Sequence, residues 1–383
     1  MPNSRLMGLA AIALAASSAT ASVVVPGNVV IMQLGDGTNA LADAGAVVKL
    51  RELTPAGGSV QTVTLPSSGS SSLVVNGTAV SEGFLTLHDG HLGVAGYVAD
   101  AGTPSLPPTA STAVPRHMSG YSLSQDLAGA PAYDAVTTTL YSGGNMRSTV
   151  VSTTAGGFYS VGSGTTNALT YLANGASGAA GTHIAGLNGN RMVGIVGGNI
   201  YASLQLGSRG IYSVAGLPVA SSTSSIVVGT PAAGNGGTAV SINAFWLSPD
   251  LQTAYIADTN TALNPGVKKY VFNSGTSTYD LAYSINTDYD GAGSATGAAR
   301  YLAVDDSGDN PLIYVVSDDG TRLLSLLDLG SAATSEATLA TLALADANTE
   351  FRGVVVTPVP EPAAVGLGLL GGLLTLARRR RRI

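Results

Sequence analysis

His88-Asp89-Gly90-His91 holds two of the four histidines of the chain close together. Two imidazoles at this spacing can chelate a metal. Asp-Gly between two apolar runs is also the signature of a tight hairpin turn, and that reading leaves both rings at a turn in solvent. The turn is the expectation adopted; His117 and His183 stand alone in the sequence. Two acidic stretches, Asp305-Asp306-Ser307-Gly308-Asp309-Asn310 and Asp288-Tyr289-Asp290-Gly291, carry oxygens of the kind calcium takes. Neither follows the EF-hand spacing of Gly and Glu, and turn-forming Asp and Asn account for both. Gly162-Ser163-Gly164 lacks the strand-to-helix context of a nucleophile elbow. Gly234-Asn235-Gly236-Gly237 lacks the lysine of a phosphate loop. The chain has no cysteine, which excludes disulfides, thiolate metal sites and cysteine nucleophiles. No catalytic residue, no metal-ligand set and no cofactor is therefore assigned, and a non-enzymatic protein is expected.

The elements that would position any such residue are short strands. Of 383 residues 50 are Gly, and only 10% are charged while 45% are hydrophobic. Soluble domains carry about a quarter charged residues, and a chain this apolar has the material for a core. Gly and β-branched residues favour turns and strands over long helices, and no long amphipathic helical pattern is present. Two segments repeat most clearly. One starts at Asn243 (NAFWLSPDLQTAYIADTNTALNPGVKKYVFN) and the other at Ala299 (ARYLAVDDSGDNPLIYVVSDDGTRLLSLLDL). Each reads as an apolar strand, an Asp-containing turn, a strand centred on Tyr255 or Tyr314, a loop and a third strand. A fourth candidate follows from Asp280 and from Ala337. The same phrase recurs from Asn190, Asn145 and Glu82, with Tyr201, Tyr159 and Tyr97 in second place. These tyrosines are 62, 42, 54 and 59 residues apart, the size of propeller blades with loop insertions.

The first and last pieces of the body complete each other. Residues 28–66 offer three strands without an opening one, and FRGVVVTP from Phe351 is an opening strand with no blade behind it. Pairing them closes a ring and removes its edges. The expected fold is therefore all-β: a β-propeller, six four-stranded blades in preference to seven, over residues 22–357. A pair of β-sandwich domains or a β-solenoid is the rival.

Both ends of the chain read differently from the body. Arg5 precedes an apolar run at residues 6–16, and Ala19-Thr20-Ala21 fits the small-x-small rule for cleavage before Ser22. Residues 1–21 are thus read as a signal peptide, and its run is too short to span a membrane. At the other end Pro360-Glu361-Pro362 precedes an uncharged, Gly-containing stretch at residues 363–377. Arg378, Arg379, Arg380, Arg381 and Arg382 follow. An apolar helix backed by arginines stops in the inner membrane with its basic end in the cytoplasm. Fifteen residues reach about 22 Å against a hydrocarbon core of about 30 Å, so the segment reads as a transient handle. Without the leader and tail the body has 11 basic and 22 acidic residues, a net charge of −11. That balance disfavours nucleic acid as a partner.

This order of Pro-Glu-Pro, apolar segment and arginine cluster over residues 358–383 resembles the PEP-CTERM sorting signal. The resemblance implies processing at or near Pro-Glu-Pro by an exosortase, a membrane transpeptidase-like cysteine protease. It also implies a Gram-negative bacterium that makes exopolysaccharide and biofilm. The body resembles a group of secreted bacterial propeller-like proteins that carry the same tail. The pieces concerned are LGDGTNAL from Leu34, VNGTAVSEGFLT from Val75, GGNMRSTV from Gly143 and EFRGVVVTPVPEP from Glu350. No activity follows from that resemblance. The expectation is an exported scaffold or binding protein of the cell surface or extracellular matrix. Its partners would be signal peptidase, exosortase, transiently the inner membrane, and exopolysaccharide as a candidate ligand. The alternative is a secreted lactonase- or lyase-like propeller enzyme with a metal in its central channel.

Overall fold

The two ends of the body meet in one sheet. In the computed structural model, which describes residues 23–164, 168–187, 189–229, 240–260, 265–288 and 297–359, strand β1 (Val29–Leu34) pairs antiparallel with β26 (Glu350–Val356). Val30 faces Val355 and Ile31 faces Val354. On its other side β1 pairs with β3 (Val48–Leu53), and β3 with β4 (Ser59–Thr64). The seam continues beyond the strands: Gly27 N donates to Thr357 O at 3.0 Å, and Thr357 N donates to Asn28 O at 2.9 Å. The composite blade read from the sequence is thus the blade that closes the ring.

Five further four-stranded antiparallel sheets follow in chain order among the described residues. Blade two is β6 (Thr86–His88), β7 (His91–Tyr97), β8 (Arg116–Ser122) and β9 (Tyr133–Thr137). Blade three is β10 (Met146–Ser152), β11 (Gly157–Gly162), β12 (Leu169–Ala173) and β13 (Thr182–Ala185). Blade four is β14 (Asn190–Val196), β15 (Asn199–Leu204), β16 (Gly210–Val214) and β17 (Ser224–Gly229). Blade five is β18 (Ile242–Leu247), β19 (Thr253–Asp258), β20 (Gly266–Asn273) and β21 (Thr278–Ile285). Blade six is β22 (Ala299–Asp305), β23 (Leu312–Ser317), β24 (Arg322–Leu327) and β25 (Ala340–Leu344). The opening strands β26, β6, β10, β14, β18 and β22 each touch the next, which makes a closed inner ring around the channel. The protein is a six-bladed β-propeller.

The core lies between blades rather than in one centre. Each apolar cluster joins strands of neighbouring blades, as where Val30 and Leu50 of blade one meet Leu92 and Val94 of blade two. Alternation along each strand sends side chains to both faces of a blade, and stacking the blades buries both. The five tyrosines used to find the repeat, Tyr97, Tyr159, Tyr201, Tyr255 and Tyr314, all sit in the second strand and all are buried. Outermost strands such as β4 and β25 are largely exposed, as the last layer must be.

Three small elements were not legible in the sequence. A short helix, α1 (Ala332–Glu336), sits between β24 and β25, capped by Ser331 accepting from Thr334 N. Five residues are too few for a helical period to register. Strands β2 (Gly45–Ala46) and β5 (Val75–Asn76) pair two residues each and tie two long loops together.

Candidate functional site

Five of the six opening strands carry a β-bulge near their start. In β10 the pairing with β11 shifts between Met146 and Ser148 at Arg147, and in β22 it shifts between Ala299 and Tyr301 at Arg300. In β14 the shift spans Arg191 and Met192, and in β18 it spans Asn243 and Ala244. In the β26–β1 pair, Arg352 and Gly353 share the position opposite Met32. A bulge leaves the ladder locally unpaired and re-aims a side chain, which is why such bends gather near sites. Here it presents Arg147, Arg191, Arg300 and Arg352, with Asn243, at one end of the channel.

This end is capped by residues 77–82, the link from β5 to β6. Arg352 donates from Nη1 to Ala79 O at 2.7 Å and from Nη2 to Gly77 O at 3.2 Å. Arg300 Nη1 donates to Val80 O at 3.1 Å, and the Tyr301 hydroxyl donates to Glu82 O at 2.6 Å. Gly83 follows the cap with φ of +79°, and a Cβ there would stand 3.0 Å from Arg352 Cβ. Glycine is needed both for that backbone and for that approach. Glu82, the last residue of the cap, is wholly buried. Its carboxyl accepts from the Tyr97 hydroxyl at 2.5 Å, Asn145 Nδ2 at 2.8 Å and Asn76 N at 3.1 Å. Burial pushes this carboxyl up to about 7, against the pull of those donors and of Arg352.

The four arginines are not equivalent. Arg300 pairs with Asp318, and Arg352 pairs with Glu350 at 3.0 Å. Arg147 and Arg191 have no carboxylate within ion-pair distance among the described residues. Both donate from Nη1 to the same oxygen, Asn190 O, Arg191 at 3.4 Å and Arg147 more closely. Arg191 Nη2 donates to Gln205 Oε1. Burial, with repulsion from Arg147 and Arg300, pushes the Arg191 guanidinium down to about 9. Burial likewise pushes Arg147 down to about 10. The nearby Glu82 carboxyl opposes the fall at Arg147 but does not overcome burial.

Beyond the arginines the channel is lined mainly by apolar side chains, with Thr86, His88 and Asp89 among them. A cavity of about 460 Å³ is lined there by Leu85, Met192, Ile195, Phe245, Trp246, Leu302, Val354 and Pro358, among others. The opening strands supply most of this wall, from Met192, Leu302 and Val354, one or two residues past Arg191, Arg300 and Arg352, on to Val196, Leu247 and Val356. An adjoining cleft is lined by Val24, Pro26, Thr357 and Pro358 beside Gly90 and His91. Both ends of the described body therefore emerge at this apolar mouth.

The candidates singled out by residue type resolve as follows. Asp89 and Gly90 form the two-residue turn between β6 and β7, both with positive φ, and His88 faces His91 in register. Asp89 Oδ2 accepts from Thr153 N at 3.0 Å and Thr153 Oγ1 at 2.6 Å, so the turn ties blade two to blade three. Burial raises the Asp89 carboxyl, but the Thr153 bonds and the two imidazoles outweigh it and hold it below its ordinary value. Asp305 closes its own turn, accepting from Ser307 N at 3.0 Å. Ser163 accepts from Asn145 N at 2.9 Å in the loop after β11. Asp288 N donates to Asn286 Oδ1 at 2.9 Å; Tyr289, Asp290 and Gly291 lie outside the described residues, as do residues 234–237. Ala19, Ala21 and Ser22, Pro360, Glu361 and Pro362, and Arg378 to Arg382 also lie outside them.

One expectation is corrected. His117 does not stand alone: its Nε2 lies 2.7 Å from Asp134 Oδ1 and 3.1 Å from Ser119 Oγ, and its Nδ1 lies 2.8 Å from Ser72 O. The strand register of β8 and β9 creates this cluster, which residue spacing could not reveal. It is not a hydrolase triad, because serine and aspartate share one ring nitrogen while the other faces a carbonyl. The arginines were missed as well. Their signal is the recurrence of Arg at the start of the opening strand, in Asn-Met-Arg147, Asn-Arg191-Met, Ala-Arg300-Tyr and Phe-Arg352-Gly.

No family model matches the chain, and no curated protein matches it. Solved structures do. TolB from Acinetobacter baumannii is 12% identical, with 87% of this chain and 67% of that chain covered at a TM-score of 0.50. The periplasmic gluconolactonase PpgL from Pseudomonas aeruginosa is also 12% identical, with 87% and 99% covered at 0.46. At these identities the likeness to TolB concerns the propeller fold alone.

Proposed function

We propose that the protein is an exported, surface-sorted binding scaffold of the cell envelope or matrix, non-enzymatic, whose propeller is the cargo of its own sorting tail. The observation that supports this reading is the shared exit of the two ends. Val24 and Pro26 line one cleft with Thr357 and Pro358, beside the apolar mouth. A leader over residues 1–21 and a tail over 358–383 would then attach at one face. A body held by that tail turns its arginine-bearing face, and the loops around it, away from the membrane. The alternative, a lactonase- or lyase-like enzyme with a channel metal, requires carboxylates or imidazoles converging from several blades. At the open mouth the described lining offers His88 and Asp89, neighbours in one turn of blade two, among mainly apolar side chains.

The test is a tag placed after Ile383 in the native host, with Glu361→Ala as the comparison. The tag should be lost from surface protein in the wild type, and precursor should accumulate in the inner membrane in the variant. A tag that accompanies the surface protein would leave an ordinary membrane anchor as the better account.

A further inference from the structure

We propose that Arg147 and Arg191, backed by Arg300, form a binding site for a small oxyanion at the capped end of the channel. The site follows from which buried guanidiniums lack a carboxylate within ion-pair distance among the described residues, and it does not depend on the sorting reading. Arg300 and Arg352 each have a carboxylate partner. Arg147 and Arg191 have a main-chain carbonyl and a side-chain amide instead. Removing a guanidinium from water is repaid only by a paired anion with good hydrogen-bond geometry. Arg147 is 8% exposed, and its Nε–H has no partner at all. The Oδ1 of wholly buried Asn190, the residue whose carbonyl both arginines share, is likewise without a donor. A group that offers oxygens to the guanidinium forks and an O–H to Asn190 satisfies all three deficits.

That chemistry fits hydrogen phosphate or the hydroxy-carboxylate of a sugar acid. Guanidinium is the side chain suited to such groups, because its planar fork meets two oxygens at once. Size favours a small ligand over a polymer. The segment 77–82 is held down over Arg300 and Arg352, and the acidic surplus of the body opposes approach of a polyanion. A purely architectural role is the competing account: the arginines would merely brace Asn190 at the junction of blades three and four.

The two accounts separate in one set of measurements on the full-length chain in mild detergent. Inorganic phosphate and galacturonate are titrated calorimetrically, with chloride at matched ionic strength as the control, and melting is followed in parallel. Saturable binding of either oxyanion is expected. At about a hundredfold excess over Kd it should raise the melting temperature by roughly 5 °C. Phosphate alone, or galacturonate alone, identifies which source of the shared chemistry the site prefers. Arg191→Gln should weaken binding by roughly ten- to a hundredfold while melting no lower than wild type without ligand. Arg191→Lys, which keeps the charge and loses the fork, should fall between. Absence of saturable binding by both probes would overturn the site. So would an Arg191→Gln protein that binds unchanged, or one that melts well below wild type in oxyanion-free buffer.

Discussion

The Tyr97 hydroxyl donates to the Glu82 carboxylate across 2.5 Å, and the same hydroxyl accepts from Met146 N at 3.1 Å. One phenol thus joins the cap segment, the second strand of blade two and the first strand of blade three. Because burial raises the Glu82 carboxyl to about 7 from 4.5, the folded protein binds this proton more tightly than the unfolded chain does. The stability contribution is complete below pH 4.5 and is lost as pH rises through about 7. The full loss is about 3 kcal/mol. Denaturant titrations across that window should show wild-type stability falling relative to Glu82→Gln. A pH-independent difference between the two would count against the buried carboxyl as its source.

Asp328 ties blade six to blade five. Its carboxylate meets Lys269 Nζ at 2.7 Å and accepts from the Tyr255 and Tyr283 hydroxyls. Burial raises this carboxyl, but Lys269 and the tyrosines outweigh it and hold it below its ordinary value. Its contribution is therefore present above the unfolded carboxylate range and is lost as pH falls. Asp328→Ala should cost about 3 kcal/mol, because it leaves the Lys269 ammonium without its anion. A double variant with Lys269→Met should recover much of that loss in equilibrium unfolding.

Ring closure is the most exposed point of the architecture. A Cβ on Gly353 would stand 2.5 Å from Gly83 O, and closer still to the main chain of Leu85. Gly353→Ala should destabilise the protein by about 1–3 kcal/mol, the range for overpacking a filled interior. Truncation after Thr349 removes β26 altogether and leaves β1 as an open edge. That chain should lose its cooperative melt and associate in size-exclusion chromatography. A monomer with an unchanged melt would argue that β26 does not close the ring.

The orientation of the displayed body can be read by single-cysteine labelling, since the chain has no cysteine of its own. Asn39 is exposed in the loop that follows β1, at the arginine end, and Ser124 is exposed beside the chain termini. In cells holding the Glu361→Ala precursor, an impermeant maleimide should label Asn39→Cys faster than Ser124→Cys. Equal rates, or the reverse order, would sink the proposed orientation.

The sequence by itself determined that the body is built of strands, how those strands repeat, and that the last one completes the first blade. Those are local properties: alternation of apolar residues, Asp-Gly turns, and a tyrosine recurring in the second strand. FRGVVVTP could be matched to residues 28–66 because a missing strand and a surplus strand are visible as text. Only the tertiary structure decided what the arginines do. Arg147, Arg191, Arg300 and Arg352 are spread over about 200 residues, and their recurrence at the start of opening strands becomes a group only once the blades are aligned. They meet because each opens a blade and each blade bends at the same bulge, so ring closure brings four distant charges to one end. The pairing of His117 with Asp134 has the same cause, since register across β8 and β9 sets it. Charge compensation is a property of space rather than of order along the chain. Asp318 and Glu350 neutralise two of the arginines and leave Arg147 and Arg191 to share one carbonyl, a division that sequence spacing does not encode.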